Sequence, residues 1–233
     1  MRVLVWNLFH GRSLPPSRHE LVWDFAARLA GWDWDAALLQ EVLPWWPPLL
    51  AQQTGTEQRT ALTSRNALLG LRRTLARRCP ELMKSNGGGA NAVLVRGHIA
   101  AHRAIRLRTW PERRVAQLLR LGDGSALVNY HASSRAPRAR EELARLRDLA
   151  LDWAGESPLV LAGDFNLRSP VLAGDFDHVA ARDVDHVFVR GYRAARAPLR
   201  LARDAVVEER EVLLSDHVPI LVELEGPGPS GAI

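Results

Sequence analysis

Cysteine is nearly absent from this sequence: Cys79 stands alone in 233 residues. That excludes a disulfide framework and any zinc site built from cysteines. Lysine is as scarce. Lys84 is the only one among 31 basic residues, so arginine carries almost all of the positive charge and the net excess of +5. No apolar run approaches the ~20 residues of a membrane-spanning helix. The start, Met1-Arg2-Val3-Leu4-Val5-Trp6-Asn7, lacks the apolar stretch and small-residue cleavage site of a secretory leader. A soluble protein of a reducing compartment, cytoplasmic and monomeric, is the expectation. No Gly-x-x-x-x-Gly-Lys-Ser/Thr loop occurs, which excludes nucleotide hydrolysis of the P-loop kind. No Gly-x-Ser-x-Gly elbow is present either.

What is there is ordinary globular composition, 47% apolar and 24% charged. With no linker or composition shift, residues 1–225 read as one domain and residues 226–233, rich in Gly and Pro, as a C-terminal tail. Apolar runs predict strands at Arg2–Phe9, Ala36–Gln40, Ala92–Val95, Ile99–Leu107, Val115–Leu121, Ala126–Tyr130, Leu159–Ala162, Val184–Val189 and Val218–Leu224. Helical spacing predicts helices over 18–30, 66–77 and 138–153. Gly31 is a stop for the first, and Pro44–Pro48 starts a further short helix or turn. Gly122-Asp123-Gly124 forms a hairpin turn, and Gly87-Gly88-Gly89 a loop. Hairpins mixed with helices point to sheets packed face to face with helices outside.

Polar signatures close these apolar runs: Asn7, Gln40-Glu41, His131, Gly163-Asp164-Phe165-Asn166, Asp185-His186 and Ser215-Asp216-His217. Each has a plainer reading alone. Asn7 and Gly-Asp-Phe-Asn suit turns, Glu41 a solvated surface, His131 a structural role and Ser215-Asp216-His217 a cap. Gathered on one sheet edge, they supply hard oxygen ligands for Mg²⁺, a base and phosphate-facing donors. Without a Cys/His cluster, a soft-metal site is not the expectation. Val160–Asn166 is echoed at Val171–Asp177, which raises the question of which aspartate, Asp164 or Asp175, is the functional one.

The order WNLFHG, LLQE, GANAVLV, VNYHASS, LVLAGDFNL, VDHVFV and LLSDHVPILVEL resembles the endonuclease/exonuclease/phosphatase superfamily from Val3 to Leu224. That superfamily includes deoxyribonuclease I, abasic-site endonucleases, neutral sphingomyelinases and inositol polyphosphate phosphatases. The resemblance implies an α/β four-layer sandwich, with two mixed β-sheets face to face and helices outside. It also implies Mg²⁺- or Mn²⁺-dependent hydrolysis of phosphoesters. Glu41 then looks like the principal metal ligand, with Asn7 beside it and Asp216 a further metal-side acid. Asp164 and Asn166 match the pair that positions water and phosphate. His217 matches the general base or phosphate donor, and Asp185 the carboxylate that orients it. His131 matches the second histidine, a phosphate contact and, as in deoxyribonuclease-like members, a candidate acid for the leaving group. The family pattern favours Asp164 over Asp175. One departure stands out: the acid that braces the second histidine in deoxyribonuclease-like relatives has no counterpart in residues 85–95. His131 is therefore braced by another group or serves only as a phosphate donor.

Substrate clues are thinner. Arg114, a phosphate-binding candidate, leads a strand with Arg113. Arg135, Arg138 and Arg140 follow His131, Arg168 follows Asn166, and Arg65, Arg72, Arg73, Arg77 and Arg78 form another cluster. Arginine suits bidentate phosphate recognition, but a GC-rich genome also writes arginine where any cation would serve. Trp45, Trp46 and Trp110 suit base stacking or packing. A nucleic-acid phosphodiester is the expected substrate. The alternatives are a small-molecule or lipid phosphate, and a binding module that kept the fold without the chemistry.

Overall fold

Aliphatic side chains on successive residues give strands that bury both faces, and two mixed sheets are built from them. The computed structural model describes residues 1–63, 66, 68–78 and 89–226. In the first sheet β1 (Arg2–Asn7) runs parallel to β3 (Ala36–Val42) and antiparallel to β16 (Ile220–Glu225). β5 (Ala90–Val95) extends it beyond β3, and β4 (Glu57–Leu62) forms that edge. Two-residue strands, β12 (Arg193–Ala194) and β13 (Leu199–Arg200), pair with β16 at the other side.

The second sheet runs β10 (Asp177–Arg182), β11 (Asp185–Arg190), β9 (Leu159–Asp164), β8 (Ala126–His131), β7 (Arg114–Leu121) and β6 (Ile99–Arg108). All its pairings are antiparallel except β8 with β9. A small third sheet joins β2 (Ser13–Leu14), β15 (Arg210–Leu214) and β14 (Asp204–Val207).

The two-residue period of a strand sorts the core into layers. Val3 and Val5 of β1 meet Leu127, Val160 and Ala162 of the second sheet in the central layer. Leu4 and Trp6, on the opposite face, pack under α1 (Val22–Gly31) and α2 (Pro47–Thr54) with Phe25, Leu29, Trp46 and Leu50. Val128, Tyr130 and Leu161 pack under α4 (Ala136–Ala154) with Leu143, Leu146 and Ala150. α3 (Leu69–Arg78) reaches the core through Ala76. The architecture is the expected α/β sandwich, helices outside and two mixed sheets within.

Differences fall at the edges. β4, β10 and the β14–β15 hairpin were not expected, because edge strands have one face in water and lack continuous apolar runs. The first helix begins at Val22, not at 18, and ends on Gly31. Arg65, Cys79, Lys84, Gly87, Gly88 and the tail beyond Gly226 lie outside the described residues.

Buried amides stitch the two sheets together. Gln40 Nε2 donates to Asn129 Oδ1 (2.8 Å), and Asn129 Nδ2 donates to Leu39 O, Ala92 O and Gln117 Oε1 at 3.0–3.1 Å. Gln117 Nε2 donates to Arg59 O at 3.0 Å. Gln40 precedes Glu41 and Asn129 lies two residues before His131, so this seam sits directly behind the residues considered next.

Candidate active site

Register places the polar strand ends on one edge. Asn7 is opposite Gln40, and His131 and Asp185 are each opposite Asp164. Ser215-Asp216-His217 comes to the same edge on the turn before β16, where Ser215 Oγ donates to Asn7 O (2.6 Å) and accepts from His217 N (3.0 Å). Trp6 Nε1 donates to His217 O at 3.2 Å.

Local backbone geometry aims several of these side chains. Pairing of β3 with β5 slips between Leu39 and Val42, and Glu41 within that slip has φ 50°. His10 (φ 53°), Asn166 (φ 49°) and Ser215 (φ 72°) are also left-handed. Such residues are uncommon outside glycine and persist only where the surroundings hold them. Gly163, before Asp164, has φ 142°, and a Cβ there would fall on the Tyr130 carbonyl oxygen.

A cleft of about 640 Å³ is lined by Glu41, His131, Asp164, Asn166, His217 and Arg114, together with His10, Thr63, Ser134 and the 110–113 segment. Asn7 and Asp185 stand buried behind it. Asn7 Nδ2 donates to Asp164 Oδ2 (2.9 Å), and the Asn166 amide donates to Asp164 Oδ1 (2.9 Å). Asp185 Oδ2 lies 2.7 Å from His217 Nδ1. The other ring nitrogen, His217 Nε2, is 3.9 Å from both Asp164 Oδ2 and Asp216 Oδ1. His131 Nε2 lies 3.6 Å from Asp164 Oδ2 and 3.9 Å from Glu41 Oε1, so its acidic neighbours come from β3 and β9. The echo resolves in space: Asp164 is buried in the site, whereas Asp175 is exposed on a bend.

The charges are poised against one another. Burial lowers the His217 pKa, but Asp185, Asp164 and Asp216 outweigh it and raise it to about 9. Burial raises Asp185 to about 6 against the pull of His217. Burial, then the charge of Asp164, pushes Glu41 up to about 7. Burial and Arg114 hold His131 well below the usual histidine range. Burial and the Arg12 and Arg114 guanidiniums lower His10 to about 4.

These groups fit a hard divalent cation. Asp164, Asp185 and His217 offer ligand atoms within 4.8 Å of one another. Asp185 Oδ1 is buried with no hydrogen-bond partner among the described residues. Because His217 Nδ1 is engaged by Asp185, that pair reads as an oriented imidazole. Glu41, buried and crowded by the charge of Asp164, and Asp164 beside it read as the oxygen donors.

His10 and Glu112 escaped the sequence reading. His10 Nε2 lies 3.0 Å from Glu41 Oε2. Glu112 accepts from Arg114 Nε (3.1 Å), from Arg114 Nη2 and from Ser134 Oγ (2.9 Å), so the Arg114 guanidinium is already paired within the cleft. The WNLFHG motif held the His10 signal; Glu112 left none. The aromatic candidates divide. Trp46 is buried against Phe25, and Trp45 bonds Glu20 at 2.9 Å. Trp110 is 68% exposed at the cleft. Arg168 and Arg77 are paired with Asp183 and Glu20.

Among solved structures, an endonuclease/exonuclease/phosphatase from Beutenbergia cavernae DSM 12333 superimposes with a TM-score of 0.72 at 17% identity, over 98% of this chain and 72% of that one. TDP2 from D. rerio, complexed with a single-strand DNA product, gives 0.68 at 15%, over 97% and 98%. A mannosyl-6-phosphatase from Bacteroides thetaiotaomicron VPI-5482 gives 0.67 at 16%, over 97% and 99%. At that identity these likenesses establish the fold alone. No curated protein matches by sequence. The profile of the Endonuclease/Exonuclease/phosphatase family matches residues 4–217. With the fold and that match over nearly its whole length, the chain belongs to the Endonuclease/Exonuclease/phosphatase family.

Proposed function

We propose that this cleft hydrolyses phosphoesters with Mg²⁺ or Mn²⁺, and that its substrate is a nucleic-acid phosphodiester. One observation carries the chemistry: an Asp185–His217 pair at 2.7 Å aims its free ring nitrogen at Asp164 in the same cleft as Glu41. Glu41 and Asp164 would hold the ion, with Asn7 behind Asp164 and Asp216 beside His217 as further oxygen donors. Bound there, it would offset charge on the phosphoryl oxygens and acidify a water.

The chain supplies the rest. Asp164, fixed by Asn7 and Asn166, orients the attacking water, and Asn166 faces the phosphate. Asp185 fixes the His217 tautomer, so Nε2 is the atom that exchanges a proton with water or donates to a phosphoryl oxygen. His131, kept neutral by burial, donates a hydrogen bond and is not an acid for the leaving group. Such positioned acid–base help contributes about 10²–10⁴ in rate.

Exposed Trp110 beside Arg113 and Arg114 supports a nucleic-acid strand, since a base can stack where a phosphate is held. The similar D. rerio TDP2 carries a DNA product. Glu112 favours a second reading, a small-molecule phosphate: its carboxylate neutralises Arg114 where a polyanion would pass. A central apolar cluster shared by both sheets, Val3, Val5 and Leu38 with Leu127, Val160 and Val187, supports residues 1–225 as one domain.

The test is a panel of plasmid DNA, RNA, bis(p-nitrophenyl) phosphate and sugar phosphates, with Mg²⁺, Mn²⁺ or EDTA, beside Glu41→Gln and His217→Ala. Metal-dependent cleavage lost in both variants is expected. Nuclease activity falling steeply with salt supports a polyanionic substrate. Metal-independent turnover, or variants as active as the parent, would remove the mechanism.

A further inference from the structure

His10 sits on the turn Phe9–Gly11 that follows β1, outside every residue given a role above. Its backbone is over-determined. The Phe9 amide donates to Asn7 Oδ1 (2.9 Å), the Gly11 amide donates to Leu8 O (2.8 Å), and Gly11 (φ 74°) lies so close to the Trp46 ring that no Cβ fits. A left-handed histidine is thereby locked in place.

Its ring faces two ways. Nε2 is 3.0 Å from Glu41 Oε2. Nδ1 is buried with no hydrogen-bond partner among the described residues. A buried N–H without an acceptor is costly, whereas a bare imidazole nitrogen costs less. The proton therefore sits on Nε2 and is donated to Oε2. That leaves Glu41 Oε1 as the carboxylate oxygen on the His131 side, 3.9 Å from His131 Nε2.

We infer that His10 is a positioning residue for Glu41, tying down one carboxylate oxygen so that the other is presented to the divalent cation. This rests on the reading of Glu41 as a metal ligand. Partners of this kind, one shell out from a metal, typically contribute 10–100-fold in affinity.

Mn²⁺ binding to the substrate-free full chain, followed by the EPR signal of free Mn²⁺, tests this without turnover. His10→Asn suits the left-handed backbone, but its amide is too short to reach Oε2. His10→Gln places a donor near the position of Nε2 on a backbone it tolerates less well. Asn should weaken Mn²⁺ binding about 10–100-fold and Gln should recover most of the loss. Thermal stability should run the other way, with Asn no less stable than Gln. A merely structural role would make affinity and stability fall together.

Parental affinity in His10→Asn, or Gln as weak as Asn, would overturn the inference. Glu41→Gln separates the two levels. If it loses Mn²⁺ binding while His10→Asn keeps it, only the role of His10 fails. If Glu41→Gln also binds as the parent does, the metal-ligand reading fails and the inference with it.

Discussion

Asp185→Asn removes one negative charge and keeps the shape, since the Asn carbonyl can still accept from His217 Nδ1. His217 ordinarily titrates at 6.5 and here at about 9. The difference is about 3 kcal/mol in favour of the imidazolium. Burial acts against it, and Asp185 leads the groups that overcome burial, ahead of Asp164 and Asp216. Without that charge the His217 pKa should fall to 6.5 or lower. Titration of the imidazole ¹⁵N and ¹H resonances reads this directly. The folded chain holds the proton more tightly than the unfolded one. The contribution of His217 to stability is therefore complete below pH 6.5 and is lost as pH rises through 9. The stability advantage of the parent over the variant should narrow across that window in urea titrations. Activity on bis(p-nitrophenyl) phosphate should fall about 10²–10⁴-fold. A variant in which His217 still titrates near 9 would refute the assignment of Asp185 as its governing partner.

Glu41→Gln should raise the metal-free melting temperature at pH 8. Its folded pKa of about 7 lies above the ordinary 4.5, so the ionised side chain costs up to about 3 kcal/mol, a cost that grows as pH rises from 4.5 to 7 and is felt in full above 7. Unchanged or lower stability would contradict the burial of Glu41 and its crowding by Asp164. Gly163→Ala should lose about 3 kcal/mol or more, or fail to fold, because its φ of 142° and the Tyr130 carbonyl exclude a side chain; urea titration decides. Glu142 accepts from Tyr130 Oη, Ser133 N, Ser133 Oγ and Arg108 Nε while almost fully buried. Glu142→Ala should therefore cost about 3–5 kcal/mol, and near-parental stability would show that those donors find other partners. His186, lowered to about 4 by burial, donates to Leu167 O beside Asn166. Since the unfolded chain takes up that proton first, the parent should lose stability relative to His186→Gln as pH falls from 6.5 to 4 in melts of the two proteins.

Central strands were legible because burial on both faces writes them as continuous apolar runs, as in Leu159–Ala162. β4 and β10 were not, because polar residues dominate them, as in Glu57-Gln58-Arg59-Thr60 and Asp177-His178, and leave no continuous apolar run. The candidate site was legible for a related reason: a polar residue closing an apolar run stands out, and Asn7, Glu41, His131 and Asp164 all do so. His10 lies in a turn where histidine is unremarkable, and Glu112 sits in a loop of mixed charge. Their contacts with Glu41 and Arg114 exist only in three dimensions. The acid near His131 could not be found by searching residues 85–95, since Glu41 and Asp164 come from other strands. The tryptophans look alike in sequence, and only the packing of α2 on the first sheet separates Trp46 from Trp110.

The seam of Gln40, Asn129 and Gln117 acts as an index pin between two otherwise greasy plates. Aliphatic layers accept many neighbouring alignments at nearly equal free energy, but directional amide contacts at 2.8–3.1 Å accept one. Mutational drift in the aliphatic filling can then proceed without misaligning Glu41 against His131. Conversely, an amide lost from the seam would leave a stable, compact protein whose two halves no longer meet in register.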